Sequence, residues 1–111
     1  MTKATQVQPM SRLSANSQDV TAWLIERLDT PLIDALLERR AVGVRKYGIP
    51  LTTHNGRDPL IDAYQEALDL VVYLGQWDAE RRLTEASELT FFAVAIAEQL
   101  HRIVRGVDDT E

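Results

Sequence analysis

Between Asp58 and Leu74 apolar residues recur at helical spacing, and the pattern predicts one helix. Asp58 suits its N-cap and Pro59 its first helical position. At about 100° per residue, Asp62, Glu66, Asp69 and Tyr73 stack on one narrow stripe. Leu60, Ala63, Ala67, Leu68, Leu70, Val71, Val72 and Leu74 take most of the remaining circumference. A helix apolar around so much of its girth packs on more than one side. It is expected at the centre of its domain.

The same signals place three further helices. Ser17 as N-cap, Asp19 in the first turn and the stripe Val20, Trp23, Leu24, Leu28 predict a helix from Ser17 to about Leu28. Trp23 is expected in the core or a dimer interface rather than as a base-stacking platform. Thr30 as N-cap and Pro31 at N1 begin a helix that runs from Leu32 to about Tyr47. Leu32, Ile33, Leu36, Leu37 and Val44 form its apolar side, and Asp34, Glu38 and Arg45 align opposite. Gly48 is placed to end it and Pro50 bars continuation. Gly43 inside it costs about 1 kcal/mol relative to Ala, for which close helix packing is one reason.

Residues 49–57 form a polar loop with a turn at Asn55-Gly56. After the central helix, Gly75 to Arg82 is either its end or its continuation. Thr84 is expected to cap a last helix, with Glu85 and Glu88 near its positive end and Gly106 as its stop. Leu89, Phe92, Val94, Ala95, Ile96, Leu100, Ile103 and Val104 give that helix a wide apolar face. No strand pattern or repeat is present. The expected fold is all-α, a bundle of about four helices: a mobile arm over 1–16, a helical domain over 17–106 and an acidic tail over 107–111.

Composition narrows the class. The 111 residues are 45% hydrophobic, enough for the core of one small domain. The apolar faces are broad enough to call for a second copy. A net charge of −5 argues against a protein that coats nucleic acid or a basic membrane-surface helix. With no cysteine the chain has neither disulfides nor thiolate metal sites, as suits a reducing cytosol. No apolar run approaches the roughly 20 residues that span a bilayer, and the N-terminus lacks a signal-peptide pattern. A soluble cytoplasmic protein is expected.

The acidic stripe carries the candidate chemistry. From Asp58 to Glu80 there is no Lys or Arg, although like charges one turn apart repel. Glu66 and Asp69 place two carboxylates on adjacent turns, an arrangement suited to Mg²⁺ or Mn²⁺ shared with substrate phosphates. A plain solvated face is the alternative. If the two long helices pack antiparallel, Asp34 and Glu38 would join the stripe in one acidic pocket. Lys46 and Arg45 either bind phosphate or complement a helix end, and Arg57 caps, pairs with Asp58 or reaches phosphate. Tyr73 is a ligand contact or an amphipathic core residue. His54 reads as a solvated or substrate-contacting loop residue, and His101 as structural.

Arg45-Lys46-Tyr47-Gly48, Asn55-Gly56-Arg57-Asp58, Asp62 to Asp69 and Tyr73-Leu74 together resemble the MazG-type all-α nucleoside triphosphate pyrophosphohydrolases, above all their small single-domain bacteriophage forms. The resemblance spans about Leu32 to Gln76. The family carries Glu-x-x-Glu on one helix and Glu-x-x-Asp on the next. Glu66 and Asp69 match the second half. The first departs, because Ala35 and Ala41 flank Glu38 at three residues. Either Asp34 substitutes or this helix gives fewer ligands, and Asp62 is a further candidate.

The resemblance implies hydrolysis of an NTP or dNTP to monophosphate and pyrophosphate, with dGTP the expected substrate and Mg²⁺ or Mn²⁺ the cofactor. It implies metal ligation by Asp34, Glu38, Asp62, Glu66 and Asp69, with Glu38 first choice as base and Glu66 also catalytic. Lys46, Asn55, Arg57 and Tyr73 would contact substrate. A homodimer or homotetramer in the cytoplasm, the host's if the gene is phage-borne, is expected. The alternative is a non-enzymatic helical dimerisation or adaptor protein.

Overall fold

The computed structural model describes residues 7–109, and of Val107 to Asp109 the backbone only. Met1 to Gln6 of the expected arm and Thr110-Glu111 of the expected tail lie outside the described residues. The chain is all-helical: α1 (Val20–Ile25), α2 (Ile33–Tyr47), α3 (Pro59–Glu80) and α4 (Glu88–Asp109). It forms two compact units: residues 9–57, and residues 58–109 with Val7 and Gln8. Among the described residues no helix is long and apolar enough to cross a membrane.

In the unit of residues 9–57, local hydrogen bonding shortens α1 relative to its apolar pattern. Asp19, not Ser17, is the N-cap, its Oδ1 accepting from the Ala22 amide at 3.1 Å. The residues before it run extended against the polar loop. The Thr53 amide donates to Gln18 O at 2.8 Å, the Val20 amide donates to Leu51 O at 3.0 Å, and Asp19 and Thr52 form an antiparallel bridge. A backbone used this way cannot also enter a helix, so Ser17 stays outside.

α2 starts at Ile33. Leu32 is its N-cap, so the expected Thr30 cap and Pro31 at N1 both fall before the helix; Thr30 Oγ1 accepts from the Leu32 amide at 3.3 Å. Gly48 ends α2 as expected, at φ +83° with its amide donating to Val44 O at 2.8 Å. A Cβ on Gly43 would meet nothing within 4 Å, so close packing does not explain that glycine. Trp23 is half-exposed, with the Arg27 guanidinium 4.1 Å from its ring centroid.

In the other unit α3 and α4 form an antiparallel hairpin. Asp58 caps α3, its Oδ1 accepting from the Leu60 amide at 3.0 Å and the Ile61 amide at 3.4 Å. With Pro59 at N1, the start of α3 matches the expectation. Gly75 to Glu80 continue α3. The expected Thr84 cap and Gly106 stop do not hold: α4 begins at Glu88 and runs through Gly106 to Asp109.

One buried carboxylate moves that start. Asp78 Oδ2 accepts from the Ser87 amide at 2.8 Å and from the Thr90 hydroxyl at 2.7 Å, while Arg81 Nη2 lies 2.8 Å from Oδ1. Arg81 also stacks 3.6 Å from the Trp77 ring centroid. The last turn of α3 therefore captures the first turn of α4, and residues 81–87 become the connection.

The buried apolar residues of the described chain are Ile61, Ala67, Ala93, Ala97 and Val104, all in this hairpin unit. Alanines let helices approach closely but leave little apolar volume enclosed. Among the described residues no large apolar side chain is fully enclosed.

The Ser87 amide first, then the Thr90 hydroxyl, hold the Asp78 carboxyl far below the usual carboxylate range. A depressed folded pKa contributes stability that is fully present above the unfolded value of about 3.9, and it is lost as pH falls below that value. In urea melts, Asp78→Asn should weaken the protein at pH 7 and flatten its loss of stability between about pH 5 and 2. In thermal melts at pH 7, Asp78→Ala should lower Tm by roughly 5 °C or more. An unchanged urea midpoint for Asp78→Asn at pH 7 would contradict this role.

Candidate functional site

α3 arranges its acidic residues by register alone. Glu66 and Asp69 are exposed on adjacent turns of one edge, and Tyr73 follows at 67% exposed. Among the described residues Glu66 and Asp69 make no hydrogen bond or ion pair, and α3 has no basic side chain to offset them. Asp62 is held differently: the Gln8 amide donates to its Oδ1 at 2.7 Å and to Asp58 O at 3.1 Å. Gln8 Oε1 in turn accepts from the Asp58 amide at 2.6 Å. Part of the expected arm is thus stapled to the start of α3, and Asp62 is engaged in that staple.

The remaining expected site residues belong to the unit of residues 9–57. Asp34 and Glu38 are exposed on α2, four residues apart. Lys46 and Arg45 are exposed in its last turn, where cations complement the helix terminus, and Lys46 Nζ sits 5.2 Å from the Tyr47 ring centroid. Asn55 is buried and works within its loop, its Oδ1 accepting from the Arg57 amide at 3.0 Å. Arg57 Nη1 donates to Pro9 O at 2.5 Å. Within neither unit do the described residues gather three or more His, Asp or Glu side chains that could hold one metal ion.

The polar loop is held by residues 9–18 rather than left free. The Arg12 amide donates to Asn55 O at 3.0 Å, and Ser14 Oγ donates to His54 O at 2.8 Å. Deeper in the unit, Arg40 Nε donates to Asp19 Oδ2 at 2.8 Å, joining the start of α1 to α2. That hydrogen bond, more than any other cause, lowers the Asp19 pKa. Sequence spacing gave no sign of the pair, since 21 residues separate its members.

The hairpin carries one notable groove, about 320 Å³, lined by Tyr64, Leu68, Val94, Ala97, His101 and Arg102. The Tyr64 hydroxyl lies 3.0 Å from His101 Nδ1, which gives His101 the structural contact expected of it. Counting about 100° per residue, Tyr64 and Leu68 lie on one side of Ala67 and Glu66 on the other. Groove and acidic edge are therefore on different flanks of α3. The chain matches no protein-family model, no curated protein and no solved structure.

Gly56 holds the loop turn at φ +86°, and a Cβ there would stand 3.2 Å from Arg12 Cζ. Gly56→Ala should therefore destabilise the protein by more than about 1 kcal/mol, read as a lower urea midpoint. An unchanged midpoint would mean that this backbone geometry does not hold the loop.

Proposed function

We propose that the protein is a metal-dependent nucleoside triphosphate pyrophosphohydrolase of MazG-like fold, cleaving a (d)NTP, with dGTP first choice, to (d)NMP and pyrophosphate. The observation that carries the reading is the α3 edge: Glu66 and Asp69 side by side, exposed, with no hydrogen bond or ion pair among the described residues. The motif resemblance around Lys46, Asn55-Gly56-Arg57 and Glu66-x-x-Asp69 gives that edge its chemistry.

The donors fit the ion that the reaction needs. Mg²⁺ or Mn²⁺ is satisfied by one or two carboxylates when waters and substrate phosphates fill the other positions. Such an ion neutralises phosphate charge and lowers the pKa of a water. Glu66 and Asp69 would hold it, with Asp34, Glu38 and Asp62 as candidate further ligands. Glu38 would orient or deprotonate the attacking water. Lys46 and Arg57 would hold the departing pyrophosphate, and Asn55 and Tyr73 would contact the nucleotide. The working form is a homodimer or homotetramer, which the sparse burial of large apolar side chains supports.

A second reading is a non-enzymatic helical dimerisation or adaptor protein. It is favoured by the finding that neither unit by itself assembles a three-ligand cluster.

Purified protein incubated with a nucleotide panel and Mg²⁺ or Mn²⁺ should release pyrophosphate, and Glu66→Gln should reduce the rate by at least about 10²-fold with helicity unchanged. No release from any nucleotide, no Mn²⁺ binding by titration calorimetry, and a higher Tm for Glu66→Gln and Asp69→Asn would establish the second reading. That rise reflects relief of like-charge repulsion worth about 0.2–0.5 kcal/mol per pair.

A further inference from the structure

In the loop between α2 and α3, His54 lies at φ +53°, a left-handed conformation uncommon for a residue with a Cβ. Such backbone persists only where its surroundings hold it, and within the unit of residues 9–57 three contacts do so. Ser14 Oγ donates to His54 O at 2.8 Å, and the Arg12 amide donates to Asn55 O at 3.0 Å. The imidazole Nδ1 lies 3.0 Å from Thr53 Oγ1. That last contact also sets the tautomer. Thr53 Oγ1 accepts from the Gln18 amide at 3.0 Å, and its own hydrogen is the one left to give to Nδ1. The neutral ring then carries its hydrogen on Nε2 and offers a donor there rather than a lone pair.

Arg12 is held at the same turn. A Cβ on Gly56 would stand 3.2 Å from its Cζ and 3.5 Å from both Nε and Nη1, so the guanidinium lies flat against the glycine backbone. Among the described residues this guanidinium makes no hydrogen bond or ion pair. The chain on either side of the turn offers it no counter-charge. No Asp or Glu occurs from Pro9 to Gln18 or from Arg39 to Arg57, in a protein of net charge −5. Asp19, the first carboxylate beyond, is taken up by Arg40. The loop is the cationic part of an acidic chain.

We propose that Arg12 and His54 form an anion site on this turn, and that it takes the phosphate chain of the nucleotide. A guanidinium grips phosphate oxygens through paired N–H donors, and the imidazole Nε2–H adds a third. Two residues of chain keep the Cα atoms of His54 and Gly56 within about 7 Å, so both donors reach adjacent phosphate groups. Donors alone at the two side-chain tips suit phosphate oxygens and not a base edge, which presents donors and acceptors together. Neither residue belongs to the motifs that carry the MazG resemblance. The inference rests on the proposed enzymatic reading for the identity of the anion, but the site itself needs no metal.

The chain has two histidines, so imidazole proton resonances of the full-length protein separate His54 from His101. Inorganic pyrophosphate added to metal-free protein at about 0.15 M salt, where diffuse surface attraction is screened, should shift the His54 signals saturably and leave those of His101 in place. A nucleoside without phosphate should move neither. By calorimetry, Arg12→Ala should weaken pyrophosphate binding at least about 10-fold with helicity retained, and Arg12→Lys should recover only part of it. His54→Asn, which tolerates the left-handed turn, should keep the fold and weaken binding as well. A His54 signal that pyrophosphate leaves unmoved overturns the proposal, as does one that the nucleoside moves. So does a pyrophosphate affinity that Arg12→Ala leaves unchanged. Should Mg²⁺-dependent pyrophosphate release from nucleotides persist in either case, the enzymatic reading stands and this site alone is lost.

Discussion

The α3–α4 hairpin depends on the buried carboxylate of Asp78. Two oxygens cannot be withdrawn from water without compensation, and here an amide, a hydroxyl and a guanidinium supply it. The amide comes from Ser87 just before α4, the hydroxyl from Thr90 in its first turn and the guanidinium from the turn after α3. The charge is thus satisfied only when both helices are formed and turned back on each other. The alanines at Ala67, Ala93 and Ala97 suit a close helix approach but remove little apolar area from water. Polar closure at one end and small residues between the helices make a hairpin that is well directed but thinly cored.

A thin core has a consequence for the rest of the surface. The large apolar side chains of α3 and α4 that a monomer would place inside are half-exposed along one flank. The acidic border with Glu66 and Asp69 runs along the edge of that flank. The proposed assembly and chemistry would use neighbouring strips of the same helix. Glu66 and Asp69 are open to solvent there, where a hydrated divalent ion and a triphosphate would approach in the proposed reaction.

Much of this was legible in the sequence, and the failures have physical causes. The start of α3 was legible because Asp58-Pro59 is local chemistry: cap and first residue are adjacent, and nothing distant competes. The end of α2 was legible for the same reason, since Gly48 alone provides the left-handed residue. The starts of α1 and α4 were misplaced because distant partners decide them. Thr52 and Thr53 pull Gln18 and Asp19 into an extended pairing, and Asp78 reaches nine residues ahead to Ser87. Gly106 did not stop α4, because a glycine ends a helix only where the backbone turns left-handed, and this one remains helical. Of the candidate site, the stripe Asp62, Glu66, Asp69 and Tyr73 followed from period alone. Gln8 binding Asp62, and the burial of Asn55 within its loop, required the folded chain.

In the proposed homodimer or homotetramer, another copy of the chain would complete the hairpin's small enclosed core. Thermal unfolding over a hundred-fold range of protein concentration tests it directly, because mass action raises the Tm of a folded dimer as concentration rises. The account expects the midpoint to climb steadily across the range. A single cooperative transition at the same temperature throughout would contradict it.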